Sequence, residues 1–316
     1  MGPYCLCGFL GLYVVYFLEM KTLTVFTPTY NRAHTLERLY RSLCAQTCQD
    51  FDWLVIDDGS TDETRALVQG FIDEGRIPIR YIYKENGGLY TGYNTAYANI
   101  ETELNVCIDS DDAMPENSVE IILRTWREKG SSHYAGLIGL DVFMDSGRPI
   151  GGLFPIEMKE CYLLDLSTKR IHRGDSKLVF RTDLMKQVSP MVGFPGEKNF
   201  NPIYMHLQIC DDYPLLVVNE PLCLVEYQLT DSMSRHIWRQ YLDSPRSFIE
   251  MRLQEMTLKR SSFLNSYRCA VHYVAESLVY RSPAWFHSTP RKGLTLLSLI
   301  PGLCLYLYIR LKAKGV

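Results

Sequence analysis

The chain has no strong bias of charge: 33 lysines and arginines stand against 36 aspartates and glutamates, a formal net charge of -3 over 316 residues. Binding nucleic acid through an extended basic face is therefore not expected. Internal repeats and low-complexity tracts are also missing, which sets aside solenoids and long disordered linkers. A structural zinc site is not expected, because neither Cys5 with Cys7 nor Cys44 with Cys48 is matched by a second Cys or His pair. The other cysteines are scattered, several inside apolar runs such as VCID and PLCLVEY, and read as free core thiols. No basic segment precedes the apolar stretch Pro3 to Leu18, which is shorter than the roughly 20 residues of a spanning helix. Met20, followed by Lys21 and an apolar strand, reads as the true start, with residues 1–19 an over-extended frame; a short anchor is the alternative.

What is present is enough apolar material, 47% of residues, to bury the core of one large domain with extensions. The first half alternates short β-branched runs with segments of helical spacing, the pattern of a parallel sheet with crossover helices. Strands are expected at Leu23 to Thr27, Phe51 to Ile56, Ile79 to Tyr83 and Leu104 to Ile108. Helices are expected from Thr35, which is placed to cap, to Gln46, then from a Ser60 or Thr61 cap to Gly75, and through Asn94. Beyond residue 125 the expectation is a helix to Lys129, strands at Ala135 to Phe143, Leu178 to Phe180, Leu215 to Val218 and Leu222 to Tyr227, and helices after Asp243. Ligands in open α/β sheets bind at the carboxyl ends of strands. Thr27 to Arg32, Asp57 to Ser60, Asn86 to Gly88 and Asp109 to Asp112 all fall at such ends, so they are expected to line one edge of one sheet.

The run Asp109-Ser110-Asp111-Asp112 crowds three carboxylates into four residues. Such crowding is relieved by a hard divalent cation, and magnesium or manganese held by one or two carboxylates plus substrate phosphates suits it. Asp57 and Asp58 form a second acidic pair, able to accept a hydrogen bond from a ring N–H such as that of uracil. Tyr30 offers a face for a base to stack on, and Thr27, Asn31 and Arg32 add donors. Each has a plainer reading as turn, core or surface residue, and only their combination carries weight.

That combination resembles the family 2 inverting glycosyltransferases of the GT-A fold, of bacterial surface-glycan type. The segment TVFTPTYNRAHTLERLYRSLCAQTCQDFDWLVIDDGSTDET is similar to the start of that family, and the NGG loop and DSDD followed by Pro115 match it in order and spacing. The resemblance is specific over residues 21 to 120 and weaker to about 235. It implies an α/β fold, mostly parallel and flanked by helices, with a nucleotide-binding half (20–125), an acceptor half (126–240) and a C-terminal helical extension (241–316). Thr27, Tyr30 and Asp58 would then contact the base, and Asp57 and Asn31 would support the loop. Asp111 with Asp109 or Asp112 would hold ribose and metal. The implied donor-site set also takes in Pro28, Arg32, Asn86, Gly87, Asn94 and Ser110, with Asp111 and Asp112 as metal ligands, Mn2+ or Mg2+ as cofactor and a UDP-sugar as donor. One departure is Tyr93, at the position before Asn94 where many relatives carry a phosphate-contacting arginine.

An inverting transfer needs a carboxylate to take the acceptor's proton. Glu197, in Gly196-Glu197-Lys198, is the expected base, with Asp211 and Asp212 as the fallback. Ser234, Arg235 and His236 fall where relatives close a loop over the diphosphate, while His172 and His206 read as structural. Residues 293–309 are almost wholly apolar and flanked by basic residues, but Pro301 and Gly302 interrupt them. That is a membrane-contact signal at the cytoplasmic face, with a packed C-terminal helix as the plainer alternative, and it suits a surface-glycan or lipid-linked acceptor. A nucleotidyltransferase would want a glycine-rich basic loop after the first strand, which Thr27 to Arg32 is not; a non-catalytic sugar-binding member of the fold is the other rival.

Overall fold

The computed structural model describes residues 21–226 and 237–313. The expected start or anchor in residues 1–19 and the loop with Ser234, Arg235 and His236 lie outside the described residues. The elements run β1 (Leu23–Thr29), α1 (Ala33–Cys44), β2 (Phe51–Asp57), α2 (Thr64–Glu74), β3 (Ile79–Tyr83), α3 (Leu89–Asn99), β4 (Leu104–Cys107) and α4 (Ser118–Lys129). There follow β5 (Gly136–Phe143), β6 (Glu160–Cys161), α5 (Leu163–Thr168), β7 (Ser176–Arg181), α6 (Thr182–Val188), α7 (Ile203–Asp212) and β8 (Leu215–Val225). The chain closes with α8 (Ile237–Asp243), α9 (Pro245–Thr257), α10 (Phe263–Tyr280), α11 (Trp285–Ser288), α12 (Lys292–Leu297) and α13 (Leu299–Lys312).

One sheet carries all eight strands in the order β3-β2-β1-β4-β7-β5-β8-β6. β1 to β4 are mutually parallel, and β7 runs antiparallel to both neighbours, β4 and β5. The two strands expected between residues 215 and 227 are one, β8, whose register against β5 shifts near Pro221. A proline cannot donate to a ladder, so the pairing slips there instead of the strand ending. β1 and β2 are buried almost throughout, as strands covered on both faces must be. Trp53 of β2 is fully buried beside Tyr40 and Phe71, whose rings stack at 4.0 Å; burying an aromatic of this size contributes about 2–3 kcal/mol.

Helix starts differ from expectation. Neither Thr35 nor Ser60 caps; Asp62 does both jobs, accepting from Ala33 N through one oxygen and from Thr64 N through the other. An Asp between two helix N-termini answers two sets of orphan donors at once. Gly75 ends α2 in the left-handed conformation, as expected. All cysteines among the described residues are free. No helix among the described residues is long and apolar enough to cross a membrane.

Candidate active site

The strand order reverses about β1: the chain lays β2 and β3 on one side and β4 on the other. A crevice opens at such a switch point, outside the carboxyl ends of the strands. Phe26 O accepts from Ile108 N, but Pro28, two residues on, has no N–H to continue the ladder. The chain after Ile108 leaves the sheet as the Asp109–Asp112 turn, closed by Asp112 N donating to Asp109 O. Across the crevice Arg32 Nη1 lies 3.9 Å from Asp111 Oδ2, both side chains partly exposed. Arg38 fixes the turn from behind, donating to Asp111 O and pairing with Glu226 at 2.7 Å.

The neighbouring loops are locked to one another. Asn31, at φ 54°, receives Thr61 N on its side-chain oxygen and gives its own N–H to Ser60 Oγ. Asp57 accepts from Ser60 N and from the Tyr81 hydroxyl. Asp58 takes Gly87 N and Gly88 N on its two oxygens and pairs with Lys84. Both aspartates are thus buried and tied to their neighbours, and they shape the edge; Asp58 Oδ2 accepts one bond, from Gly88 N. Thr27 likewise turns inward, accepting from the Trp53 indole at 3.0 Å, and Pro28 packs on Gly92 of α3. Tyr30, 48% exposed, is the ring that faces outward.

The loop of residues 189–202 reaches this edge. Gly88 has φ +92°, and a Cβ there would sit 2.3 Å from Lys198 O, so only glycine allows the contact. Lys198 Nζ donates to Asn86 Oδ1, while Asn86 Nδ2 holds Asp58 O. Asn94 clamps the Met191 backbone through both its amide atoms, a structural task, and Tyr93 is core against Phe26. Burial, with Asp58 and Glu197 nearby, raises the pKa of the Tyr90 phenol, which lies against Gly193 of that loop.

Asp112 and Glu197 also sit differently from their expected roles. Asp112 points inward, its Oδ2 3.5 Å from Cys223 Sγ and 4.0 Å from Lys177 Nζ, and burial raises its pKa to about 7. A carboxylate so placed is a partner for Lys177 and is not directed at an ion in the crevice. Asp109, exposed, and Asp111 are the members of the run that face solvent, and Ser110 is buried. Glu197 is buried and accepts four bonds, from Arg246 N and Nε and from Ser247 N and Oγ. It caps α9 from across the chain, where a helix N-terminus favours an anion. Asp211 and Asp212 are far from free too, tied to Lys259 and Arg260 in the α9–α10 link.

Lys177 was not anticipated. Burial opposes its charge, but Asp141, Asp109 and Asp112 outweigh it and hold the ammonium well above the ordinary lysine range. Its Nζ is 3.9 Å from Asp141, whose own pKa burial lifts to about 6. A lone lysine in the strand SKLVFR was the available signal. It lines a cavity of about 110 Å³ with Asp109, Asn105 and His206. Among the described residues no three His, Cys, Asp or Glu side chains converge to hold an ion by themselves. A magnesium or manganese ion that takes phosphate oxygens from its substrate does not need three, and a partly exposed Asp111 fits that donor set.

Residues 24–180, about half of the chain, match the profile of glycosyl transferase family 2. The chain belongs to glycosyl transferase family 2. An uncharacterised glycosyltransferase of Nostoc sp. is 24% identical over 173 residues, covering 54% of this chain and 53% of its own. The validoxylamine A glucosyltransferase of Streptomyces hygroscopicus is 44% identical over 82 residues, 25% of this chain and 18% of that protein. The chain thus spans about half the length of the first relative and less than a fifth of the second. Among solved structures, Staphylococcus aureus TarS 1–349 in complex with UDP-GlcNAc superposes with a TM-score of 0.61 at 17% identity, over 93% of this chain and 88% of that one. The mannosyltransferase PcManGT of Pyrobaculum calidifontis, in complex with GDP-Man and Mn2+, gives 0.50 at 16% identity, over 91% and 87%. These likenesses carry the fold, which is the GT-A fold expected for this family 2 chain.

Proposed function

We propose that this chain transfers a glycosyl group from a nucleoside-diphosphate sugar, a UDP-sugar, to an acceptor hydroxyl. The observation that carries the reading is the Arg32–Asp111 pair facing across the switch-point crevice, a cation for phosphate beside a carboxylate for a divalent ion. The nucleotide-sugar complexes of the two fold relatives support it. Tyr30 supplies the ring on which the base stacks, Arg32 binds the diphosphate, and Asp111 holds Mn2+ or Mg2+ together with the donor's phosphates. When bound, the ion neutralises charge on the departing diphosphate.

The transfer is read as inverting, with the acceptor hydroxyl attacking from the face opposite the leaving group. Glu197 remains the candidate base, because its neighbour Lys198 touches the donor loops at Asn86 and Gly88. For that role the bonds from Ser247 and Arg246 must be exchanged for the acceptor hydroxyl. A surface polysaccharide or lipid-linked glycan at the inner face of the cell membrane is the acceptor class this reading favours.

The test is calorimetric binding and turnover with a panel of nucleotide-sugars and manganese, comparing the parent with Asp111→Ala and Glu197→Gln. One donor should bind; Asp111→Ala should lose manganese-dependent binding, and Glu197→Gln should keep binding and lose turnover. If no nucleotide-sugar binds with manganese present, the proposal fails. If one binds without turnover in the parent, the sealed Glu197 marks a sugar-nucleotide binding protein instead.

A further inference from the structure

The last two helices present an apolar stripe to solvent. Inward, α12 and α13 turn Thr295, Ser298, Gly302 and Ile309, all buried, with Leu294, Leu305 and Tyr306 partly buried against the core. The approach at Gly302 is close: a Cβ there would lie 2.6 Å from Val274 Cβ and 3.0 Å from Val271 O. Facing outward is a stripe of Leu296, Ile300, Leu303, Leu307 and Leu311, from 48% to 78% exposed. Its steps of four, three, four and four residues keep it on one side of the helices. A helix bordered by water carries polar residues on its outer face, so an outward stripe of five large apolar residues departs from the pattern that the hydrophobic effect sets.

Charge tells what covers that stripe. Every aspartate and glutamate of the chain lies at or before Glu276; after it come Arg281, Arg291, Lys292, Arg310, Lys312 and Lys314 and no acid. Arg291 and Lys292 at the start of α12, and Arg310 and Lys312 at the end of α13, are exposed. None of these four is in an ion pair among the described residues. A second copy would bring the same basic ends together across a two-fold axis, a repulsive contact. An anionic lipid surface attracts them and accepts the leucines.

We propose that α12 and α13 dock on an anionic membrane surface, lying in its plane, with the leucine stripe among the acyl chains and the basic ends at the headgroups. The 14 residues of α13 suit lying on a bilayer and not crossing it. The docked helices are joined to the loop of residues 189–202 by packing: α13 on α10, α10 on α9, and Glu197 on the N-terminus of α9. This inference stands apart from the glycosyl-transfer reading, since it uses no residue of the crevice.

Flotation of the full chain with vesicles tests it without nucleotide or acceptor. The chain should float with phosphatidylcholine vesicles that contain phosphatidylglycerol and much less with phosphatidylcholine alone. Ile300→Asp/Leu307→Asp should reduce flotation roughly tenfold or more. Arg310→Gln/Lys312→Gln should reduce it less and remove part of its salt dependence. Thermal unfolding followed by circular dichroism checks that each variant still folds, since all four positions are outward. Failure of the parent to float with either vesicle overturns the proposal, as does undiminished flotation of the aspartate variant. A parent dimer in sedimentation velocity that the aspartate variant dissociates also overturns it, by assigning the face to a second copy.

Discussion

In residues 21–125, polar side chains at the strand ends are held by partners one strand–helix–strand unit away; in residues 126–226 they are held by a helix that follows much later. Asn31 meets Ser60 and Asp58 meets Gly87 at separations of 29 residues, one crossover in each case. Glu197 meets Ser247 at a separation of 50 and Asp211 meets Lys259 at 48, both by way of α9 and the link after it. The βαβ repeat makes the first kind of meeting automatic, because each strand end lands beside the previous one. The second kind depends on where a helix with a weak apolar stripe docks, which no repeat dictates.

Lys177 joins the two halves and should show the largest effect when removed. It lies on β7, between β4 of the first half and β5 of the second, with Asp112 and Asp141 from either side. Lys177→Met leaves those buried carboxylates without a cation, which should cost about 3–5 kcal/mol in urea unfolding. Double substitution with Asp112→Asn should recover part of that loss; if it recovers none, the two residues are not coupled and the halves are joined some other way.

A smaller effect should separate the halves more cleanly. Glu197→Ala removes the acceptor of four bonds at the start of α9 and should cost about 2–3 kcal/mol. The loss should appear as faster amide exchange in the 189–199 loop and at the start of α9, with β1 to β3 unchanged. Faster exchange across β1 to β3 as well would mean that the two halves unfold together.

The smallest effect is a pH dependence at the seam. His206 of α7 stacks on Phe180 of β7, and burial lowers its pKa from 6.5 to about 4. Between these values the unfolded chain binds the proton and the folded chain does not. Its contribution is therefore complete above pH 6.5 and is lost as pH falls toward 4, amounting to roughly 1–3 kcal/mol. Urea midpoints at pH 7.5 and 5.0, compared between the parent and His206→Asn, isolate it: the parent should lose more stability on acidification than the variant.

The order of the first four strands, their helices and the loops at their carboxyl ends were legible because hydrophobic periodicity and glycine or aspartate punctuation are local signals. The meeting of Arg32 with Asp111 followed from them, since both stand at ends of adjacent strands. The α1 cap was misplaced, because Asp62 reaches it from 29 residues away and leaves no mark beside that helix; at α2 the same Asp62 caps locally, next to the expected Ser60 or Thr61. Within DSDD, sequence could not say which carboxylate faces the crevice: Asp112 turns inward because Lys177 arrives from a strand 65 residues later. The cap formed by Glu197 is the same kind of fact. So is the outward leucine stripe: an apolar C-terminal segment with basic ends is legible in the chain, but which side of it is left uncovered follows from Gly302 letting α13 approach α10 closely. Spacing along the chain determines what neighbours in sequence will share, whereas the burial of one particular oxygen or methyl group is set by elements that arrive from elsewhere.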